Sequence, residues 1–72
     1  MLITDSRIDG DFEGWDGDRV FELPNGQKWQ QVRYRYRYRY RYSPRARVYN
    51  KGGRYYLEVE GMDEAIEVRR VR

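Results

Sequence analysis

The chain has 72 residues, a formal net charge of +3, no cysteine and no histidine. A chain of this length is one domain (residues 1–72), near the size at which a hydrophobic core provides only about 3–5 kcal/mol of net stability. Missing cysteines exclude disulfides and thiolate metal sites, and missing histidines remove the commonest general base and metal ligand. Self-association is the remaining way to bury more surface.

The first third of the chain predicts short strands separated by acidic turns. Residues 1–8 are compatible with a first strand, and residues 9–18, rich in Gly and Asp, predict loop and turn. The latter resemble a calcium loop, but the twelfth position is Val20 and no amphipathic helix flanks them. We therefore favour a solvated acidic turn with Phe12 and Trp15 beneath it.

A hairpin is predicted next. Residues 19–23 alternate, which places Phe21 and Leu23 on one face of a strand. Asn25-Gly26 then separates this run from the following one, and Asn-Gly between alternating runs is a strong hairpin signal.

The central stretch predicts one long, bent strand over residues 28–42. Its second half alternates five arginines with five tyrosines, and alternate residues of a strand point to opposite faces. At about 3.3 Å per residue the stretch would span about 50 Å, too long for a straight strand in a small domain. We expect a bulge near Gln30-Gln31 that brings Trp29 and the tyrosines into one core.

The aromatic side chains of this strand are candidate core and subunit-contact residues. Five tyrosines exceed what so small a barrel can enclose, and every buried hydroxyl needs a partner. We therefore expect part of the row in the core and the rest between subunits, where Tyr is enriched. The candidates are Trp29, Tyr34, Tyr36, Tyr38, Tyr40 and Tyr42.

The arginines have two competing interpretations. Residues 32–56 contain nine basic and no acidic residues, whereas the net charge is −4 over residues 1–31 and −2 over residues 57–72. We favour pairing with carboxylates on neighbouring strands, at about 0.2–1 kcal/mol each; the candidates are Glu22, Glu58, Glu60 and Glu67. The alternative is contact with nucleic acid or another polyanion through Arg33, Arg35, Arg37, Arg39 and Arg41. The tyrosines would lie on the opposite face, so this strand alone does not build a surface that both stacks and neutralises.

The last third predicts three strands. Pro44 ends the central strand, and strands follow over residues 45–49, 54–60 and 65–71, with turns at residues 50–53 and 61–64. Five or six short strands without a helical period predict an all-β barrel. An SH3-like barrel is favoured over an OB-like one, because no segment supplies the helix that the OB fold usually carries.

Several motifs carry a resemblance to known proteins. They are Phe12-x-Gly14-Trp15, Val20-Phe21-x-Leu23, Asn25-Gly26-Gln27-x-Trp29-Gln30-Gln31, the alternating tyrosines to Tyr42, Pro44-x-x-x-Val48 and Val59-Glu60-Gly61. The chain resembles a group of small uncharacterised bacterial all-β proteins with a tyrosine-alternating strand. It differs from them in having Arg at every intervening position. The resemblance implies a compact β fold and no specific activity. It also implies that the chain is a protein of the mobile-gene-cassette type or an engineered member of the group.

The sequence favours a non-enzymatic protein. Ser6, Ser43 and Thr4 have no His or Cys to activate them, and phosphate-binding glycine motifs are missing. We expect no cofactor and no metal. We also expect no membrane partner, since no apolar run approaches the length of a membrane span. We predict a cytoplasmic homo-oligomer, with nucleic-acid binding as the alternative.

Overall fold

The computed structural model describes residues 1–72 as eight strands without a helix. The strands are β1 (Leu2–Arg7), β2 (Asp11–Trp15), β3 (Val20–Glu22), β4 (Lys28–Gln31), β5 (Arg37–Tyr42), β6 (Arg45–Lys51), β7 (Arg54–Val59) and β8 (Ile66–Arg70). Six of them form an antiparallel sheet in the order β1-β6-β7-β8-β4-β3, and β2 pairs with β5 in a separate two-stranded sheet. The all-β prediction is confirmed, and the chain contains no helix long and apolar enough to cross a membrane.

The predicted hairpins are present. The Asn25-Gly26 turn joins β3 to β4, with Phe21 opposite Trp29. The turns around residues 52–53 and 61–64 join β6 to β7 and β7 to β8. Alternation was sufficient to predict these strands because each has one buried face, as in Leu57 and Val59 of β7.

The prediction of one continuous strand over residues 28–42 is wrong. β4 ends at Gln31 in the large sheet, and β5 begins at Arg37 in the small one. The buried Gln31 side chain stabilises the irregular segment between them: Nε2 donates to the carbonyl oxygens of Arg33 (2.9 Å) and Arg35 (3.1 Å), and Oε1 accepts from the Asp16 N–H (2.9 Å). Because one amide satisfies three backbone groups, the chain can leave one sheet for the other without leaving them unpaired.

The prediction that residues 9–18 are all loop and turn is also wrong, since β2 occupies their middle. The expected burial of Phe12 and Trp15 is confirmed. Gly14 makes this possible: its φ is 99°, and an added Cβ would overlap the Arg37 carbonyl oxygen and lie 2.8 Å from the Arg39 nitrogen. Only glycine allows β2 to approach β5 so closely. The irregular register at this position lets Phe12 and Trp15, three positions apart, both face the core.

One hydrophobic core of twelve residues lies between the sheets. They are Ile8, Phe12, Trp15, Phe21, Leu23, Trp29, Ala46, Val48, Leu57, Val59, Ile66 and Val68. Phe12, Trp15 and Phe21 form a cluster with ring centroids 5.5–6.0 Å apart, a favourable separation for aromatic pairs. Trp29 is buried as predicted and packs against Tyr55 at 5.2 Å.

The expectation that tyrosines of the central stretch belong to the core is wrong. The exposed fractions are 67% for Tyr34, 63% for Tyr36, 62% for Tyr38, 52% for Tyr40 and 73% for Tyr42. β2 supplies the core with aromatic rings that the sequence analysis had assigned to a loop. Two Trp and two Phe side chains then fill the interior, and the tyrosine hydroxyls remain in water without needing buried partners.

The arginine–tyrosine surface as the candidate functional site

The orientation of β5 is the reverse of the expected one. In the β2–β5 ladder Arg37 lies opposite Trp15 and Arg41 opposite Phe12. Directly opposed residues share a face of an antiparallel sheet, and both aromatic rings are buried. The arginines therefore project from the side of β5 that borders the core, and the tyrosines project into solvent.

Three arginines of the central stretch form ion pairs with carboxylates near the start of β8. The pairs are Arg33 Nε–Glu67 Oε1 (3.3 Å), Arg35 Nη1–Glu64 Oε1 (2.7 Å) and Arg37 Nη1–Asp63 Oδ2 (3.6 Å). The three arginine side chains are more than half exposed, so each pair contributes at most about 1 kcal/mol to stability. Their main effect is to reduce the positive charge of the row.

The central arginines do pair with carboxylates, as predicted, but only one of the four predicted glutamates is among their partners. Glu67 does bind Arg33, whereas Glu58 pairs with Arg47 at 3.7 Å and Glu60 accepts a hydrogen bond from the Arg45 backbone N–H. Glu22 forms no ion pair.

Two acidic partners, Asp63 and Glu64, were missed by the sequence analysis because they lie in a turn rather than on a neighbouring strand. Their position in an acidic turn of a chain with a strongly basic middle was the available signal.

The other two arginines of the row, Arg39 and Arg41, form no ion pair. The Arg41 side chain packs over Gly61, where an added Cβ would contact its Nη1 and lie 2.7 Å from its Cδ. This glycine, which also has a positive φ of 93°, leaves room for the aliphatic part of the arginine. The end of the arginine row is thus held by packing rather than by charge.

The tyrosine face, defined as Tyr34, Tyr36, Tyr38, Tyr40 and Tyr42, is the largest group of exposed aromatic side chains in the protein. Tyr40 is fixed by its hydroxyl, which donates to Asp11 Oδ1 at 2.8 Å. This hydrogen bond raises the pKa of Tyr40, and desolvation and the negative charge of Asp11 add to the effect. Asp11 lies on β2 beside the tyrosine face and was not among the predicted site residues.

A separate charged cluster lies where β1 pairs with β6. Asp5 accepts hydrogen bonds from Arg45 Nε (3.1 Å) and Nη2 (2.9 Å) and lies 3.5 Å from Arg47 Nε. The Arg45 hydrogen bonds lower the pKa of Asp5, against an opposing contribution from desolvation. The same contact raises the pKa of Arg45. This bidentate pair joins the two strands of the β1–β6 ladder.

Comparisons with known proteins add no assignment to this surface. No family model matches the chain, and no curated protein or solved structure matches it. The structure contains no group of three or more acidic side chains arranged to hold a metal ion. What the arrangement offers chemically is exposed tyrosine rings on one face of β5 and guanidinium groups on the other.

Proposed function

We propose that the protein is a non-enzymatic homodimer that associates by packing the β5 tyrosines, Tyr38, Tyr40 and Tyr42, against the same residues of a second copy. The observation that carries the proposal is that all three are exposed and alternate along one face of this strand. Soluble monomers rarely leave a contiguous patch of this kind uncovered. Tyrosine is also enriched where proteins meet, because it combines a large ring with a polar end.

The tyrosines of β5 supply about half of a dimer interface. The exposed fractions of Tyr38, Tyr40 and Tyr42 together amount to about two whole tyrosines. At about 200 Å² each, this surface is about 400 Å² per subunit. A standard interface buries about 800 Å² per partner, so the neighbouring side chains of β2 and the segment before β5 would supply the rest.

The arginines favour packing of faces over pairing of strand edges. β5 pairs only with β2 and therefore has a free edge. Antiparallel pairing of two β5 edges around Arg39 would place arginines directly opposite arginines, which is destabilising. Packing of faces instead buries tyrosine and leaves both arginine rows outside the interface.

Twofold symmetry suggests a register for the dimer. An isologous contact requires that residue i meets residue j and that j meets i. An axis through Tyr40 places Tyr38 against the partner's Tyr42. The three tyrosines of β5 are then all used by the contact.

We further propose that the two sheets belong to one SH3-like barrel. A hydrogen bond from the Asp9 N–H to the Glu22 carbonyl (2.8 Å) links the segment after β1 to β3, the opposite edge of the large sheet. The single core shared by both sheets is a further support. A cytoplasmic location remains a prediction.

The proposal is tested by light scattering coupled to size-exclusion chromatography over a wide range of protein concentrations. The unmodified chain is expected to run as a dimer, and Tyr38→Thr/Tyr42→Thr as a monomer, because Thr retains strand propensity without the ring. The matched control is Arg37→Thr/Arg39→Thr on the opposite face of the same strand, which should remain dimeric. A monomer at every concentration, or loss of the dimer only in the arginine variant, would refute the proposal.

A further inference from the structure

A cleft of about 300 Å³ lies where the irregular segment between β4 and β5 meets β7 and the start of β8. Its walls bring together residues from both ends of the chain's basic middle. The polar and aromatic side chains that line it are Arg33, Tyr34, Arg35, Arg54, Tyr56 and Glu67. The cleft thus combines three guanidinium groups with two aromatic rings.

The break in the strand is what places these two residue types together. Along β5 the alternation sends arginines and tyrosines to opposite faces. Residues 32–36 are not in a strand, so Tyr34 lines the same cleft as Arg33 and Arg35. The objection that no single surface can both stack a base and neutralise a phosphate therefore does not apply here.

The charge of the cleft is positive despite its acidic neighbours. Arg33 donates to Glu67 through Nε alone, and Arg35 donates to Glu64 through Nη1 alone. Arg54 forms no ion pair. The remaining N–H groups of three exposed arginines are available to an anion.

We propose that this cleft binds single-stranded nucleic acid, with a base against the rings of Tyr34 and Tyr56 and a phosphate bound by Arg54. Stacking on an aromatic ring requires an unpaired base, because the bases of a duplex are already stacked and enclosed. Guanidinium groups bind phosphate through two parallel N–H donors. The aromatic rings and the positive charge of the cleft match the base and the phosphate of one nucleotide of a single strand.

None of the residues that contact the nucleotide belongs to the proposed dimer interface. Tyr34 precedes β5, and Tyr56 and Arg54 lie on β7. Nucleic-acid binding and dimerisation can therefore be lost separately.

The test is fluorescence anisotropy with a labelled oligouridine, the corresponding oligothymidine and a duplex of equal length, at low and moderate salt. The single strands should bind more tightly than the duplex, and affinity should fall with increasing salt. Arg54→Ala should weaken binding and reduce the slope of log K against log salt by about 0.7, the value for one phosphate contact on a single strand. Arg7→Ala on β1 removes the same charge outside the cleft and should have little effect.

The stacking contact has its own matched pair of variants. Tyr34→Ala should weaken single-strand binding about tenfold, the range expected for loss of one stacked base, and Tyr34→Phe should retain it. Tyr42→Ala removes an equally exposed ring from the far end of the tyrosine face, outside the cleft, and should leave binding unchanged.

The same variants separate the two proposals: Tyr34→Ala should weaken binding and leave the dimer intact, whereas Tyr42→Ala should weaken the dimer and leave binding intact. Three results would overturn the proposal of a nucleotide cleft: no binding at low salt, equal affinity for the duplex, or equal losses in Arg54→Ala and Arg7→Ala.

Discussion

The side-chain amide of Gln31 donates to the backbone carbonyl oxygen of Arg35 at 3.1 Å, across the point where the chain passes from one sheet to the other. The same amide nitrogen also binds the Arg33 carbonyl oxygen. This buried glutamine therefore sets the conformation of the segment that lines the cleft and leads into β5.

Replacing Gln31 should destabilise the protein strongly. Gln31→Met has a similar volume but leaves two carbonyl groups and the Asp16 N–H without partners, and each lost partner costs about 1–3 kcal/mol. Because Asp16, Arg33 and Arg35 are exposed residues, water replaces part of these contacts, and we expect the free energy of unfolding to fall by about 2–4 kcal/mol in urea titrations. Gln30→Met is the control, since Gln30 is only partly buried and its hydrogen bonds lie at the surface. Equal losses in the two variants would contradict the role assigned to Gln31.

The hairpins and the last three strands could be predicted because local signals decide them. Asn25-Gly26 specifies a turn by its own backbone preferences, and the alternation around Leu57 follows from one buried face. In these segments the local backbone preference and the tertiary packing favour the same structure, so the strands and turns can be predicted from a single sequence.

The central stretch could not be predicted because its alternation is symmetric with respect to the two faces of a strand. Alternation shows that Arg and Tyr separate, but which side borders the core depends on β2. The segment that contains β2 is rich in Gly and Asp, which predicts a loop. Gly14 allows this strand to pair with β5 because its lack of a side chain leaves room for the β5 backbone. The buried side chain of Gln31 likewise acts through its partners, which no pattern in the sequence identifies.

Gly14→Ala should be among the most destabilising substitutions in the chain. The new Cβ would meet the Arg37 carbonyl oxygen, and the φ of 99° is unfavourable for any residue with a Cβ. We expect a loss of at least about 3 kcal/mol in the free energy of unfolding. Gly17→Ala is the matched control, because nothing lies within 4 Å of its added Cβ, and it should change stability by less than about 1 kcal/mol. A similar stability for both variants would exclude a close approach of β2 to β5.

The ion pair between Arg35 and Glu64 should be weak and sensitive to salt. A double-mutant cycle with Arg35→Gln and Glu64→Gln should give a coupling energy of about 0.2–1 kcal/mol, because the arginine side chain is 59% exposed. The coupling should nearly vanish at about 1 M salt, where the screening length is about 3 Å. A coupling well above this range, or one insensitive to salt, would show that the pair is more buried than the structure describes.

The Asp5–Arg45 pair should make stability depend on pH at the acidic end. The lowered pKa of Asp5 means that the folded state binds its proton less readily than the unfolded state does. The stabilisation that the Asp5–Arg45 pair gives the folded state is fully present above the ordinary Asp pKa. It is lost as the pH falls through the pKa of Asp5 in the folded state. NMR titration of the Asp5 carboxyl carbon should show the lowered pKa, and Arg45→Gln should raise it. Arg7→Gln, on the same strand as Asp5, is the control and should leave it nearly unchanged.

The Tyr40–Asp11 hydrogen bond predicts a dependence on pH of the opposite sign. The hydroxyl of Tyr40 donates to Asp11, which raises the pKa of this tyrosine, so the folded state retains the proton more strongly than the unfolded state. Its stabilising contribution is complete below the ordinary tyrosine pKa of about 10 and is lost as the pH rises through the folded-state value. Asp11→Asn should lower the pKa of Tyr40, measured by NMR on the ring carbon that bears the hydroxyl. Asp9→Asn removes the same charge from a residue that does not contact Tyr40 and should change that pKa much less; equal shifts in both variants would mean that general charge, and not this hydrogen bond, acts on the tyrosine face.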